Sequence, residues 1–273
     1  MYFELIVAVS VIFVQRYKKK RNYKNIEQFF LFVWKISAIF APMEILPIAH
    51  FRSPLKSKFG IPRQSGLAEN LTGSIVFEPP YRHMEALRGI EDFDYLWLIW
   101  EFSANNQHPT PIPHHLNLTV RPPRLGGNKR MGVFATRSPF RPNCLGLSCV
   151  RFDRIEDHPH LGPVVYVKGA DLMDGTPIYD IKPYVVYADS HPDARSGFVD
   201  QTAWKSLEVE VPEHLARLFS PSDLDTLRQT LSLDPRPSYH DDAKRIYGMP
   251  FGDYDVRFQV EGGIVRVVEC NHL

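Results

Sequence analysis

Residues 119–143 read TVRPPRLGGNKRMGVFATRSPFRPN, and the rest of the chain is organised around them. The stretch holds six cations, Arg121, Arg124, Lys129, Arg130, Arg137 and Arg141, and no acidic residue. Four prolines (Pro122, Pro123, Pro139, Pro142) and three glycines (Gly126, Gly127, Gly132) punctuate it. Proline lacks the N–H that a helix needs, so the reading is a rigid loop around one short strand, 131–136. A solvated face normally mixes both signs of charge, whereas this one projects a single sign that draws an anion. Pinned loops that carry arginine forks suit phosphate or carboxylate. A basic loop that merely keeps the protein soluble is the bland alternative.

Working outward, residues 95–102 (YLWLIWEF) form a near-continuous apolar run of strand type, and 145–155 and 163–168 also read as strands. Trp97 and Trp100 read as core, since large aromatics mostly serve burial, with cofactor stacking as the alternative. Residues 103–118 are rich in Pro, Asn and His and read as an exposed loop. Its His108, His114 and His115 have no ligand spacing and no carboxylate nearby, so no metal is expected. The strand at 163–168 runs into GADLMDGTP, 169–177, which puts Asp171 and Asp174 on a glycine-containing turn. A sheet that fixes such a turn makes it a usual place for binding residues. The alternative is an Asp that bonds its own turn backbone. Residues 180–187 read as a further extended segment.

On the N-terminal side, 45–50 reads as a first strand, 52–66 (RSPLKSKFGIPRQSG) as a second basic loop, and 74–77 as a short strand. Residues 81–90 have helical spacing through Met84 and Leu87. Residues 1–42 differ in character: a ten-residue apolar run, 5–14, precedes a basic cluster and an aromatic-rich stretch. A spanning helix needs about twenty apolar residues, and a secretory signal puts its charges before the apolar part. Two readings remain, a membrane-associating segment or sequence upstream of a true start at Met43. On the C-terminal side, Ser220-Pro221-Ser222-Asp223 reads as a capped helix start, with Leu224, Leu227 and Leu231 as its apolar face. DPRPSY, 234–239, stops that helix, and 254–260 with 263–269 makes a hairpin across Glu261-Gly262. The chain thus divides into an extension, 1–42, a main domain, 43–190, and an α+β appendage, 191–273.

Net charge is +1 over 273 residues, so any affinity for nucleic acid must come from local clustering. Three cysteines, Cys144, Cys149 and Cys270, have no metal-ligand spacing and indicate free thiols in a reducing compartment, the cytoplasm. Twenty-three prolines favour strands joined by irregular loops, a mainly β (α+β) fold. Two basic loops and one acidic turn together suit a nucleotide-like cofactor and a nucleic acid better than a peptide. None of the common glycine-rich phosphate cradles and no serine or cysteine nucleophile pattern stands out. Cys144 lies among cations that favour a thiolate, but the sequence places no partner His.

FRSP, IPRQ, TVRPPRLGG, MGVFATRSPFRPN, DLMDGTPIYDIKPY and DPRPSY occur in this order across most of the chain. Through these motifs the chain resembles the TrmO family of tRNA methyltransferases, the TsaA-like (YaeB/VirR) group. The resemblance implies a small β-barrel methyltransferase core, dependence on S-adenosylmethionine, a homodimer with a shared site, and a tRNA anticodon loop as partner. It implies methylation of N6 of threonylcarbamoyladenosine beside the anticodon. Carried over by residue, the methyl donor is held by Pro62, Arg63, Gln64, Arg137, Leu147, Asp171, Asp174, Gly175 and Thr176. Arg121, Arg124, Lys129, Arg130 and Arg141 serve the tRNA backbone and the substrate's carboxylate. Asp171 and Asp174 are the candidates to draw off the N6 proton. Two departures stand out: Cys144 replaces the proline that usually follows RPN, and Ser103 and Ala104 stand where the family carries a polar pair. A non-catalytic tRNA- or nucleotide-binding module and a membrane-tethered sensor of the methyl donor are the competing readings.

Overall fold

Six strands pair edge to edge into a closed ring, each antiparallel to both of its neighbours. The computed structural model describes residues 44–105, 118–202, 206–236 and 242–273. In chain order the strands are β1 (Ala49–Arg52), β2 (Thr72–Phe77), β3 (Tyr95–Glu101), β4 (Thr119–Val120), β5 (Met131–Gly132), β6 (Leu145–His158), β7 (Gly162–Lys168), β8 (Pro177–Pro183), β9 (Glu208–Glu210), β10 (Tyr247–Phe251), β11 (Tyr254–Glu261) and β12 (Ile264–His272). The ring runs β1-β2-β7-β6-β3-β8. Alternate residues of β3 point inward, so Leu96, Leu98 and Trp100 are buried with Phe51, Ile75, Val165 and Ile178. The opposite parity of β3 and β6 faces out, where Ile99 pairs with Leu147.

A second sheet, β10-β11-β12-β9, packs under helix α3 (Pro221–Ser232). Ser220 caps the helix by accepting from the Asp223 N–H, as the sequence pattern demands. Leu227 and Leu231 are buried against Met249, Phe251, Phe258 and Val267, while Leu224 is only half-buried and Thr226 and Thr230 complete the inner face. This core is not made by the C-terminal residues alone. Leu55, Ala68 and Leu71, from the loop between β1 and β2, are buried within it, and Asn70 accepts from Thr226 through its backbone carbonyl. Residues 46–273 accordingly form one compact unit.

Several local expectations are corrected. Residues 81–90 do not form an α-helix but belong to three short 3-10 turns, Pro79–Tyr81, Met84–Leu87 and Ile90–Asp92. Met84 stays exposed, and Gly89 at φ 84 interrupts any continuous coil. The strand expected at 131–136 stops at Gly132 and turns into a 3-10 segment, Val133–Ala135. Its partner β4 is only two residues long because Pro122 and Pro123, which follow close behind it, donate no ladder hydrogen bond. The first strand begins at Ala49, past Pro47, instead of at residue 45. The extended segment placed at 180–187 is β8, ending at Pro183, followed by a helical turn, α1 (Val186–Asp189). A second single turn, α2 (Glu213–Ala216), precedes α3. The C-terminal hairpin turns one residue later than expected, at Gly262-Gly263, where φ of 59° and 85° fits only glycine cheaply. The extension 1–42, Met43, His108, His114 and His115 lie outside the described residues.

Candidate active site

Three segments far apart in sequence meet at one end of the ring. From the basic loop, Arg137 donates through Nη1 to Gln64 Oε1 at 2.6 Å. Gln64 in turn donates to the Arg63 carbonyl at 2.6 Å, and the Gly66 N–H donates to the Gly169 carbonyl at 2.8 Å. The 53–71 loop is thereby tied both to the basic loop and to the turn carrying the two aspartates. Asp171 sits in this junction. Its Oδ1 accepts from the Ser148 hydroxyl at 2.5 Å, and Ser148 Oγ accepts from Trp100 Nε1 at 2.9 Å. Burial pushes the Asp171 carboxyl up from its ordinary value, while the Ser148 hydroxyl, backbone N–H groups of Asp171 and Ser65, and the Arg137 charge pull it down.

Asp174 has a different task. Its Oδ1 accepts from the Ser53 N–H at 3.1 Å and its Oδ2 pairs with Lys56 at 3.5 Å. The backbone beside it closes the same joint: Gly175 N–H donates to Phe51 O and Phe51 N–H to Thr176 O, each at 2.8 Å. Asp174 therefore clamps β1 to the 169–177 turn, and Thr176 is buried. For Asp174 the turn-bonding alternative does not hold, because the carboxylate bonds another segment's backbone and not its own turn.

Arg63 is half-buried and donates weakly, at 3.5 Å, to the Asp234 carbonyl. Burial lowers its pKa, Asp234 raises it and neighbouring Arg124 lowers it again. Arg124 donates to the Thr202 carbonyl at 3.4 Å, so it stands with Arg63 and apart from the outer cations. Asp234, at φ 50, is itself held by a two-pronged contact from Arg236, at 2.8 and 3.0 Å. Arg121, Lys129 and Arg130 are exposed. Arg141 braces its own loop by donating to the Thr136 carbonyl at 2.8 Å, and Pro62 is a buried residue of the 53–71 loop.

Leu147, exposed at 56%, belongs to a separate feature. It lines an open depression of about 470 Å³ on the outer face of β3 and β6, with Ile99, Phe134, Arg141 and Gly146. Gln64, Arg137 and Asp171 do not line this depression. Polar cluster and apolar wall are thus adjoining parts, with Leu147 turned outward and Ser148, the next residue, turned inward.

Sequence profiles match both parts of the chain: the tRNA-methyltransferase O N-terminal domain over residues 50–190 and the TrmO C-terminal domain over residues 205–273. The chain belongs to the TrmO family. Among curated TrmO relatives, the tRNA (adenine(37)-N6)-methyltransferase of Escherichia coli (strain K12) is 39% identical, over 78% of this chain and 91% of its own length. A putative S-adenosylmethionine-dependent methyltransferase of Pseudomonas aeruginosa is also 39% identical, over 82% and 96%. The crystal structure of TrmO from Pseudomonas aeruginosa superposes with a TM-score of 0.65 at 33% identity, covering 84% of this chain and 98% of that one.

Within this TrmO chain the motif residues Gln64, Arg137 and Asp171 come together, Arg63 joins them through its backbone carbonyl while its side chain turns to Asp234, and Asp174, Gly175 and Thr176 lie at the β1 joint. The sequence reading missed Ser148, and for Trp100 it weighed core packing against cofactor stacking but not a hydrogen-bond donor role. A signal existed: Ser148 is the one hydroxyl at an inward position of β6 between Gly146 and Val150. Phe134 and Phe140, exposed at 74% and 70% on the basic loop, were likewise passed over. Among the described residues no group of His, Cys, Asp or Glu is placed to hold a metal ion.

Proposed function

We propose that the protein methylates N6 of the adenosine on the 3′ side of a tRNA anticodon, using S-adenosylmethionine, and that this adenosine carries an N6-threonylcarbamoyl group. The observation that carries the reading is the convergence of Asp171, Gln64 and Arg137 from three segments, the last of them a loop with six cations and no acid. Family membership supplies the reaction class.

The residues present fit S-adenosylmethionine. Its carboxylate suits the guanidinium groups of Arg137 or Arg63, with Gln64 setting the angle of Arg137. Ammonium or ribose hydroxyl groups suit Asp171, and the Pro62 and 174–176 backbone shapes the same joint. An adenine suits the apolar wall at Leu147 and Ile99, in a depression of ordinary ligand size. Bound, this donor supplies a methyl carbon activated by a sulfonium leaving group. The protein's own work is to hold N6 in line and to receive its proton, for which Asp171 is better placed than Asp174. Arg121, Lys129 and Arg130 serve phosphates, and Phe134 and Phe140 offer exposed rings on which splayed loop bases stack. Arg141 and Arg124 face inward enough to meet the threonyl carboxylate or the donor.

In this reading the six-stranded ring is a small β-barrel methyltransferase core, and residues 191–273 are its appendage. Leu145 and Leu147, left open on the outer face, suit completion of the site by a second copy. The test is to incubate the full chain with isotopically labelled S-adenosylmethionine and tRNA from cells lacking their own enzyme, followed by nucleoside mass analysis. Label in methylated threonylcarbamoyladenosine supports the reading; label in unmodified adenosine at that position refutes the substrate assignment. A second reading, a binding module, rests on Cys144, whose φ of 50 no proline can adopt. Donor binding without any labelled nucleoside would favour it.

A further inference from the structure

With Asp171 ionised, the contacts around Ser148 run in one direction. An indole carries a single polar hydrogen and no acceptor, so Trp100 can only donate. Ser148 is 1% exposed and receives that hydrogen on Oγ. Its own single proton then has one partner at hand, Asp171 Oδ1 at 2.5 Å. The chain reads Trp100 to Ser148 to Asp171; reversal of the second bond would need a protonated Asp171 to donate to the other lone pair of Oγ and would take the acceptor away from the buried Ser148 hydroxyl hydrogen. Gly146 makes the arrangement possible, because a Cβ there would lie 2.3 Å from Trp100 Cε2.

We propose that Ser148 is a positioning residue for methyl transfer, fixing the Asp171 carboxylate so that Oδ1 is always an acceptor and Oδ2 is the oxygen that takes the proton from N6. This rests on the reading of Asp171 as the proton acceptor. As the C–N bond forms and the donor's C–S bond breaks, the N6 proton passes to Oδ2 and is later released to water. The groups facing Asp171 are few: the Ser148 hydroxyl from β6, the Ser65 N–H from the 53–71 loop and the Arg137 charge from the basic loop. Only the first is directed at a single oxygen by a second, buried donor. A hydroxyl bonded to a carboxylate stabilises the charged form, offsetting the burial that opposes it.

Ser148→Ala, Ser148→Thr and wild type are compared by pH profile of single-turnover methylation and by thermal melt. Ser148→Ala is expected to lower the neutral-pH rate by about tenfold to a hundredfold, the range for a hydrogen bond to a charged group. It is also expected to move the acidic limb to higher pH, and Ser148→Thr, which keeps the hydroxyl, to return the limb toward wild type. If Ser148→Ala does not fold, Ser148→Cys, similar in size and a weak donor, is expected to move the limb the same way. Equal loss at every pH with an unmoved limb would overturn the proposal and leave Ser148 a packing residue. A second readout needs no turnover: the carboxyl carbon resonance absent from Asp171→Asn is titrated in each variant. A midpoint raised by Ser148→Ala and restored by Ser148→Thr upholds the positioning even if no adenosine is methylated. An unmoved midpoint overturns it even if methylation is found.

Discussion

Arg137 and Gln64, 73 positions apart in sequence, are joined side chain to side chain at 2.6 Å. This bond links the basic loop to the 53–71 loop, and it orients an exposed guanidinium that packing alone would leave free. Arg137→Ala is expected to raise the apparent KM for the methyl donor by about tenfold to a hundredfold, as for a lost charge-assisted contact. The melting temperature should change little, because Arg137 is exposed. Arg137→Lys should not restore affinity, since an ammonium lacks the planar fork. Calorimetric titration of donor into the three proteins checks this, and a Gln64→Ala cycle should show coupling of about 0.5–3 kcal/mol.

The two aspartates should separate on substitution. Asp171→Asn is expected to cut turnover by about a hundredfold or more, the span of a general base. Its effect on stability has the opposite sign. The folded pKa of Asp171 is raised by burial, so its ionisation opposes the native state, and that cost grows as pH rises through the raised value. Asn avoids it, so the variant should melt no lower than wild type at neutral pH and lose that advantage in acid. Asp174→Ala, which strips partners from Ser53 and Lys56, should instead lose about 1–3 kcal/mol of stability. Melts across pH, with donor affinity measured separately, distinguish the pair.

Gly146→Ala places a methyl group against the Trp100 ring. Overpacking of this kind costs about 1–3 kcal/mol, and the displaced indole should release Ser148. Denaturant unfolding and indole fluorescence should change together.

Cations of the basic loop should differ in their salt response. Arg121, Lys129 and Arg130, each exposed, should lower the slope of log affinity for tRNA against log salt by about one each when changed to Ala. Arg124, turned toward Thr202 and Arg63, should leave the slope nearly unchanged. Filter binding at several salt concentrations measures it.

Leu227 is fully buried against the same core as Leu55 and Leu71. Leu227→Ala is expected to cost about 2–5 kcal/mol. It should also weaken donor binding at temperatures below the melt, because the 53–71 loop loses its footing.

The legible parts of this fold were those with a local cause. The near-continuous apolar run 95–102 announced β3, and Ser220-Pro221 announced the start of α3. The motif residues Arg63, Gln64, Arg137 and Asp171 were also visible. What sequence could not express was partnership across distance. Leu55, Ala68 and Leu71 have no common period, so nothing in the 53–71 loop advertised that it packs beneath the C-terminal sheet. Asp171 and Asp174 looked alike on one turn, and only their neighbours, Ser148 for one and Lys56 for the other, distinguish them. Residues 81–90 had helical spacing but too few apolar contacts to hold a full helix, and 3-10 turns resulted.

The shared core of Leu55, Leu71, Phe258 and Val267 also bears on the order in which the protein matures during synthesis. All six strands of the ring are complete once Pro183 has been made. The Pro62–Arg63–Gln64 segment still lacks the surface it rests on, because β11 and β12 come later. A nascent chain can therefore close its ring while the 53–71 loop, and with it the donor pocket proposed there, waits for β12 to emerge, the early loop held open for a late partner.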